Sequence, residues 1–267
     1  MTVRFKPAPE HHGVVFVRTD LPGQPKIEAL IHNRVQGPRR TTLVHNNAAV
    51  EMVEHILSAL AGLHIDNCLV EVDRAEMPGM DGSSREFAEA LHDAGVIQQT
   101  ATRKQIIIRE RIRVEENDIW VEAIPSDDVH PGFGLTFDID YRNCPSIGKQ
   151  QFRYRVDPAT YRDQVAPART FVLKQEADLL RQQGLGQRVT FQDLLVFDDE
   201  GPIDNQLLFD DECARHKLLD MIGDLSLVGA DIVGQIHGYR SGHRLNSQLA
   251  FAILQQSSVC SINRVSA

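Results

Sequence analysis

The sequence predicts an α+β fold in which one arrangement of elements occurs twice. Three observations lead there. Short runs of alternating apolar and polar residues recur in both halves of the chain and read as half-buried strands. Each half then continues with an amphipathic helix, a strand and a second helix, an order that hints at a duplicated α/β unit. Between the halves lies a polar connection, residues 98–103, placing a boundary between a domain at 1–99 and another at 104–258. The 267 residues are enough for two domains of ordinary size.

In the first half, Val3 and Phe5 alternate with Thr2, Arg4 and Lys6, and a second strand is expected over 13–18 after a proline-containing turn. The first strong helix is expected over 48–63, where Met52, Ile56, Ala59, Leu60 and Leu63 repeat on one face and Gly62 stands near the end. A strand over 67–72, the loop MPGMDGSS and a helix over 84–94 follow, with Ser83 or Ser84 as the cap. Past the boundary, residues 105–114, 119–125, 133–141 and 149–156 read as four consecutive strands, mostly antiparallel if short turns join them. Asp157 before Pro158 is a good helix start, because the carboxylate accepts orphan N–H groups and proline suits the first helical position. A short segment, 168–173, precedes an insertion of helix (174–183), glycine-containing turn and strand (194–197). A helix over 211–229, a strand over 231–239 and a helix over 243–255 complete the pattern.

Composition narrows the function. No apolar run of about 18 residues is present, so membrane insertion is not expected. Residues 1–16 lack an apolar stretch followed by a small-residue cleavage site, so no secretory signal is expected either. Cys68, Cys144, Cys213 and Cys260 are scattered and form no C-x-x-C pair, which argues against a thiolate zinc site and fits a reducing cytoplasm. A net charge of −9 disfavours nucleic acid as a partner, yet leaves room for a local cationic pocket that takes one phosphorylated small molecule.

The richest stretch is DECARHKLLDMIGDLSLVG. On a helix, Leu218, Leu219, Ile222, Leu225 and Val228 form an apolar stripe, while His216, Asp220 and Asp224 fall at i, i+4 and i+8 on one face. A buried carboxylate must be paired or bound to a metal. The row therefore suggests that His216 and Asp220 hold a metal ion, with Asp224 and Lys217 serving the chemistry around it. The plainer reading is a surface His–Asp pair worth well under ~1 kcal/mol. Asp224 and the apolar company on the helix favour the metal. Glu54 beside His55 is a surface pair or a metal ligand with a neighbouring general base. No H-E-x-x-H pattern is present, nor either glycine-rich phosphate signature. His243 in SGHRLN is a cap-region histidine or an acid facing a cleft, and Thr170 in ARTF would by itself be an ordinary strand end.

Together, VEHILSALAGLHIDN, MPGMDGSS, ARTF, HKLLDMIGDLSLVG and SGHRLNSQL stand in the order and at the approximate separations of the UDP-3-O-acyl-N-acetylglucosamine deacetylases, zinc amidohydrolases of lipid A synthesis, and the resemblance covers nearly the whole chain. It implies two similar two-layer domains packed with helices between sheets. It also implies one Zn²⁺ on His55, His216 and Asp220, with the open fourth position that a catalytic zinc needs. Glu54 would be the general base. His243 would be the general acid or the electrostatic partner of the developing charge. Thr170 would contact the oxyanion, and Lys217 and Asp224 would line the site, Asp224 orienting His243. A βαβ insert at about 172–198 would form the passage for the substrate's acyl chain, with Phe171, Phe191, Val196 and Lys217 as substrate contacts. A cytoplasmic monomer is expected.

Two departures from the family pattern stand out. Its members usually begin with a strand carrying Gly-Leu-His, and this chain starts at what would be the second strand. Lys174 and Ala177 stand where the family is bulkier and apolar, and QRVT (187–190) replaces a glycine-rich turn. The competing function is a protein that binds the UDP-sugar lipid without turnover. A zinc peptidase is disfavoured because no peptidase metal motif is present.

Overall fold

The computed structural model describes residues 1–127, 131–184, 190, 191, 193–256 and 259–265, and the side chains up to residue 256. Most of the QRVT stretch, 187–189, and residues 185–186 before it lie outside the described residues. In the first half the elements are β1 (Val3–Pro7), β2 (Val14–Arg18), β3 (Lys26–Glu28), β4 (Arg34–Val35), β5 (Thr42–His45), β6 (Ala48–Glu51), α1 (Glu54–Gly62), β7 (Cys68–Val72) and α2 (Arg85–Ala94). In the second they are β8 (Thr102–Ile107), β9 (Ile112–Glu116), β10 (Ile119–Ile124), β11 (Phe133–Tyr141), β12 (Gly148–Arg155), α3 (Pro158–Gln164), β13 (Phe171–Leu173), α4 (Lys174–Gln182), β14 (Leu195–Phe197), α5 (Glu212–Ser226), β15 (Asp231–Tyr239), α6 (His243–Gln256) and β16 (Val259–Val265).

The fold is α+β, as the strand and helix patterns predict. A four-stranded sheet in the order β1-β7-β2-β3 and a three-stranded sheet β4-β5-β6 come from the first half. The second half builds one larger sheet in the order β12-β11-β15-β10-β9, extended by β8 and β16. β15 sits at its centre because it is apolar on alternate residues and pairs on both flanks, parallel to β11 and antiparallel to β10. Helices α5 and α6 lie on this sheet, α5 against β11 and β12, α6 against β9 and β10. α1 packs on the other side of α5. Both α1 and α5 are buried along most of their length, so a single apolar core runs from Phe16 and Ile27 through Ile56 and Leu60 to Leu219, Ile222 and Ile236.

Three expectations are corrected. The helix expected over 48–63 begins only at Glu54. Residues Ala48–Glu51 pair instead with β5 as a hairpin, with Ala48 and Val50 buried in a period of two. Met52, at φ +60°, then turns the chain into α1. The strand expected over 105–114 is two strands, with β8 on the lower part of β15 and β9 against β10. The four strands of that region are not consecutive neighbours either, since β15 enters between β10 and β11. The segment from residue 26 to 47, which carries no strong pattern, supplies β3, β4 and β5.

Local signals explain the helix starts. The Asp157 side chain accepts from the Ala159 N–H at 3.0 Å, with Pro158 in the first turn of α3. At α2 it is the Ser83 hydroxyl that takes up a free N–H, from Arg85 at 3.1 Å, while the Ser84 hydroxyl turns inward to Tyr161.

Candidate metal centre and active site

The polar row on α5 is buried. His216, Asp220 and Asp224 are each at most 3% exposed. α1 approaches α5 at the level of this row because residue 223 is glycine. A Cβ there would collide with the Glu54 carbonyl. The close approach brings His55, in the first turn of α1, to His216 and Asp220. His55 Nε2 lies 3.6 Å and His216 Nε2 3.4 Å from Asp220 Oδ1, and the two imidazoles meet edge to face.

One ligand atom from each of these three residues falls within 4.8 Å of the others, the one such group of three among the described residues. Asp220 Oδ1 is buried and accepts no hydrogen bond. A lone pair of that kind is costly unless a cation takes it up. The His216 Nδ1–H donates to the Ala168 carbonyl at 3.1 Å, which leaves Nε2 unprotonated and facing Asp220. Burial pushes His216 down to about 3, so its ring is neutral at pH 7. Two imidazoles, that of His216 neutral, and a carboxylate with a free oxygen suit a borderline divalent cation such as Zn²⁺. Lys217 Nζ donates to the other oxygen, Asp220 Oδ2, at 2.8 Å.

Glu54 and His243 flank this group. Glu54 Oε2 accepts from the Thr41 N–H at 3.0 Å, and Oε1 lies 3.9 Å from His243 Nε2. Burial raises the Glu54 carboxyl above its ordinary range against the pull of His243 and His55. His243 Nδ1–H donates to Asp224 Oδ2 at 2.9 Å, so Nε2 is aimed at Glu54 and at Asp220 Oδ2, 3.9 Å away. Burial opposes a charge on His243. The Asp224 and Asp220 carboxylates outweigh it and push the imidazole up to about 10. Asp224 itself is fully buried and accepts two further hydrogen bonds, from the Thr41 hydroxyl at 2.6 Å and from Asn246 Nδ2 at 2.8 Å.

Thr170 closes one side. Its N–H donates to the Gly82 carbonyl at 2.8 Å, and its carbonyl accepts from Leu195 at the start of β14. Gly82 has φ +80°, and a Cβ there would meet Thr170 Cγ2 at 2.8 Å, so the MPGMDGSS loop is the seat on which Thr170 rests. Next to it the buried Arg169 donates to Glu212, at the start of α5, from Nε at 2.8 Å and from Nη2 at 3.1 Å. That pair fixes the turn whose Ala168 carbonyl holds His216.

A cavity of about 900 Å³ opens from Thr170, Lys217 and His243. Its volume is that of a site for a sizeable small molecule. Phe171, Val172, Ala177, Leu180, Leu194 and Val196 are among its apolar lining, and Arg39, Arg181, Arg240 and Arg244 are among its polar lining, Arg39 paired with Glu176, Arg240 with Asp118 and Arg244 with Glu116. Phe191 is not a lining residue; its ring lies under the Arg181 guanidinium, 5.4 Å from it. A cavity lined by both apolar side chains and arginines can hold a ligand that is part hydrocarbon and part phosphate, the phosphate competing with the acidic partners of those arginines.

A family model described as UDP-3-O-acyl N-acetylglycosamine deacetylase matches residues 1–255. The chain belongs to this family. The UDP-3-O-acyl-N-acetylglucosamine deacetylase of Thermosynechococcus vestitus is 39% identical to it over 256 residues, 96% of this chain and 87% of that protein. Proteins of the same name from Pasteurella multocida and Haemophilus influenzae are each 39% identical over 259 and 265 residues, 95% of this chain and 83% of theirs.

In this deacetylase-family chain every candidate catalytic, metal or substrate residue from the sequence except Phe191 is at the buried group or on the cavity that opens beside it, while Lys174 of the insert pairs with Asp178 away from the lining. Among those that contribute to the arrangement but were not singled out are Thr41, Asn246, Gly82, Gly223, Arg169 and Glu212. Asn246 stands three residues after His243 on one helix, a spacing that puts both on the same face and could have exposed it. Gly223 lies between two members of the polar row. Thr41 lies in an unpatterned segment, and nothing in its sequence surroundings marks it.

Proposed function

We propose that the protein is a zinc-dependent amidohydrolase that removes the acetyl group of UDP-3-O-acyl-N-acetylglucosamine, giving UDP-3-O-acyl-glucosamine and acetate, the committed step of lipid A biosynthesis. The observation that carries the reading is the buried His55, His216 and Asp220 group, with an unsatisfied Asp220 oxygen, beside two acid–base side chains at one end of a large cavity. Those three residues would hold the Zn²⁺. When bound there, the ion supplies Lewis acidity, polarising the amide carbonyl and making water easier to deprotonate.

The remaining chemistry belongs to the chain. Glu54 takes the proton of the attacking water, its carboxylate held in place through Oε2 by the Thr41 amide so that Oε1 faces the site. His243, with Nδ1 committed to Asp224, presents Nε2 to the reacting centre and gives a proton to the departing amine. Thr170 contacts the oxyanion that develops on the acetyl carbonyl, and Lys217 balances the charge of Asp220 and contacts the substrate. Phe171, Val196 and the neighbouring apolar wall take the acyl chain, with Phe191 supporting Arg181 behind it. In this reading the protein works as a cytoplasmic monomer on a soluble nucleotide-sugar headgroup. Its halves, 1–99 and 104–258, act as two domains that each contribute to the zinc site.

The test is to measure bound metal and acetate release on one preparation. About one zinc per chain and release of acetate that a chelator abolishes are expected. His216→Ala should lose the metal. Metal-replete protein that releases no acetate from UDP-3-O-acyl-N-acetylglucosamine would overturn the proposal.

A further inference from the structure

Thr41 touches both flanks of the site. It is fully buried just ahead of β5, 13 positions before Glu54 and 183 before Asp224 in sequence. Three bonds radiate from it. Its N–H donates to Glu54 Oε2 at 3.0 Å, its hydroxyl donates to Asp224 Oδ1 at 2.6 Å, and its carbonyl accepts from the Val53 N–H at 3.3 Å, just ahead of α1. Its Oγ1 also stands 3.5 Å from His243 Nδ1.

We infer that Thr41 is a positioning residue that sets the separation and mutual orientation of Glu54 and His243, one arm acting on Glu54 directly and the other on His243 through Asp224. The inference rests on the function proposed above and goes beyond it in giving a task to a residue that contacts none of the reacting atoms.

The geometry supports it in two ways. Asp224 is a fully buried carboxylate with three donors: Thr41, His243 and Asn246. Asn246 is itself fixed, because its Oδ1 accepts from the Ser241 hydroxyl at 3.1 Å. Of these three hydrogen bonds to Asp224, the one from the Thr41 hydroxyl comes from outside α5 and α6, so it ties the His243 assembly to the part of the chain that carries Glu54. A buried carboxylate that loses one of its donors turns to recover hydrogen bonds elsewhere, and His243 turns with it. The second support is that the Thr41 arms are different chemical groups. The backbone arm survives any substitution except proline, while the hydroxyl arm depends on the side chain.

That separation makes the proposal testable. Thr41→Val keeps the shape and the amide arm and removes the hydroxyl arm. It should lower kcat by about tenfold to a hundredfold, as loss of one hydrogen bond to a charged group does, with little change in KM or in bound zinc. Thr41→Ser should restore most of the loss, because it restores the hydroxyl. In the same samples the ring N–H resonance of His243, assigned by its loss in His243→Ala, should shift in Thr41→Val and return in Thr41→Ser. This readout needs no turnover, so it separates the two proposals. A parent protein without deacetylase activity whose His243 resonance still responds to residue 41 would leave the positioning role intact and overturn the function. Equal kcat in parent and Thr41→Val, or a His243 resonance that does not move, would overturn the positioning role. Should Thr41→Val fail to fold, a Thr41→Ser variant as slow as His243→Ala would overturn it equally.

Discussion

The two helices that meet at the site, α5 and α1, contribute to it in opposite ways. α5 carries its contribution as a repeat: His216, Asp220 and Asp224 descend one face at four-residue intervals, and each is visible as soon as the segment is read at helical spacing. α1 contributes Glu54 and His55, adjacent residues in its first turn, which point in different directions and repeat nothing. One helix is a self-contained half-site, and the other is useful only because it is pressed against the first. The lesson is that a candidate metal site split between two elements can be read from sequence on one side only, and that the contact between the helices matters as much as the side chains that would bind the ion.

The largest effect should come from the α1 side. Glu54→Gln is nearly isosteric and still offers a carbonyl oxygen to the Thr41 N–H. It should leave the fold and the bound zinc in place while lowering acetate release by about 10²–10⁴-fold, the usual worth of a positioned general base. A variant that lost its zinc would show that residue 54 helps to hold the metal, and one with more than a tenth of the parent rate would remove it from the reaction.

Next comes the contact itself. In Gly223→Ala the new methyl group would sit against the Glu54 carbonyl, a backbone atom that cannot rotate away, so α1 and α5 must separate. Overpacking of this kind costs ~1–3 kcal/mol or more, which lowers the melting temperature of a domain this size by roughly 2–4 °C per kcal/mol. Zinc affinity should fall with it, because His55 is carried away from His216 and Asp220. Unchanged melting together with unchanged zinc affinity would show that the helix contact does not position the third ligand.

The same contrast explains what was legible beforehand. β15 and α6 were readable almost to the residue, and α5 to within three, because each repeats its apolar positions over many residues. The α+β class and the polar row follow from those repeats alone. The segment from residue 26 to 51 was not readable. β3, β4, β5 and β6 are two to four residues long, and they exist through pairing with distant partners. A signal for the β5–β6 hairpin was there in Asn46 and Asn47, a pair that favours a tight turn; Asn46 does adopt φ +51°. The apolar stripe through Met52 and Ile56 masked it, since residues 48–52 fit a helical period as well as a strand. Within the site, spacing yields His216 and Asp220. The joining of His55 to them came from the family resemblance, because 161 positions separate His55 from His216. Thr41 and Gly223 act through a backbone N–H and through the lack of a side chain, and neither leaves a pattern to read.

The smallest effect should come from the part of α1 that follows its first turn. Tyr161 of α3 is completely buried, and its hydroxyl shares hydrogen bonds of 2.8 Å with Ser58 of α1 and with Ser84, just ahead of α2. Its ring also fills the space over Gly62, where a Cβ would collide with it. The ring therefore packs three helices and the hydroxyl only tunes their join. Tyr161→Phe keeps the ring and leaves two buried serine hydroxyls to find new partners, one of them already 3.4 Å from the Ala166 carbonyl. A loss of about 1–2 kcal/mol is expected, read as a lower melting temperature, with zinc content and kcat at the parent values. If kcat or zinc fell as well, the later turns of α1 would be coupled to Glu54 and His55, and α1 would have to be treated as one rigid lever rather than as a catalytic first turn on a structural stem.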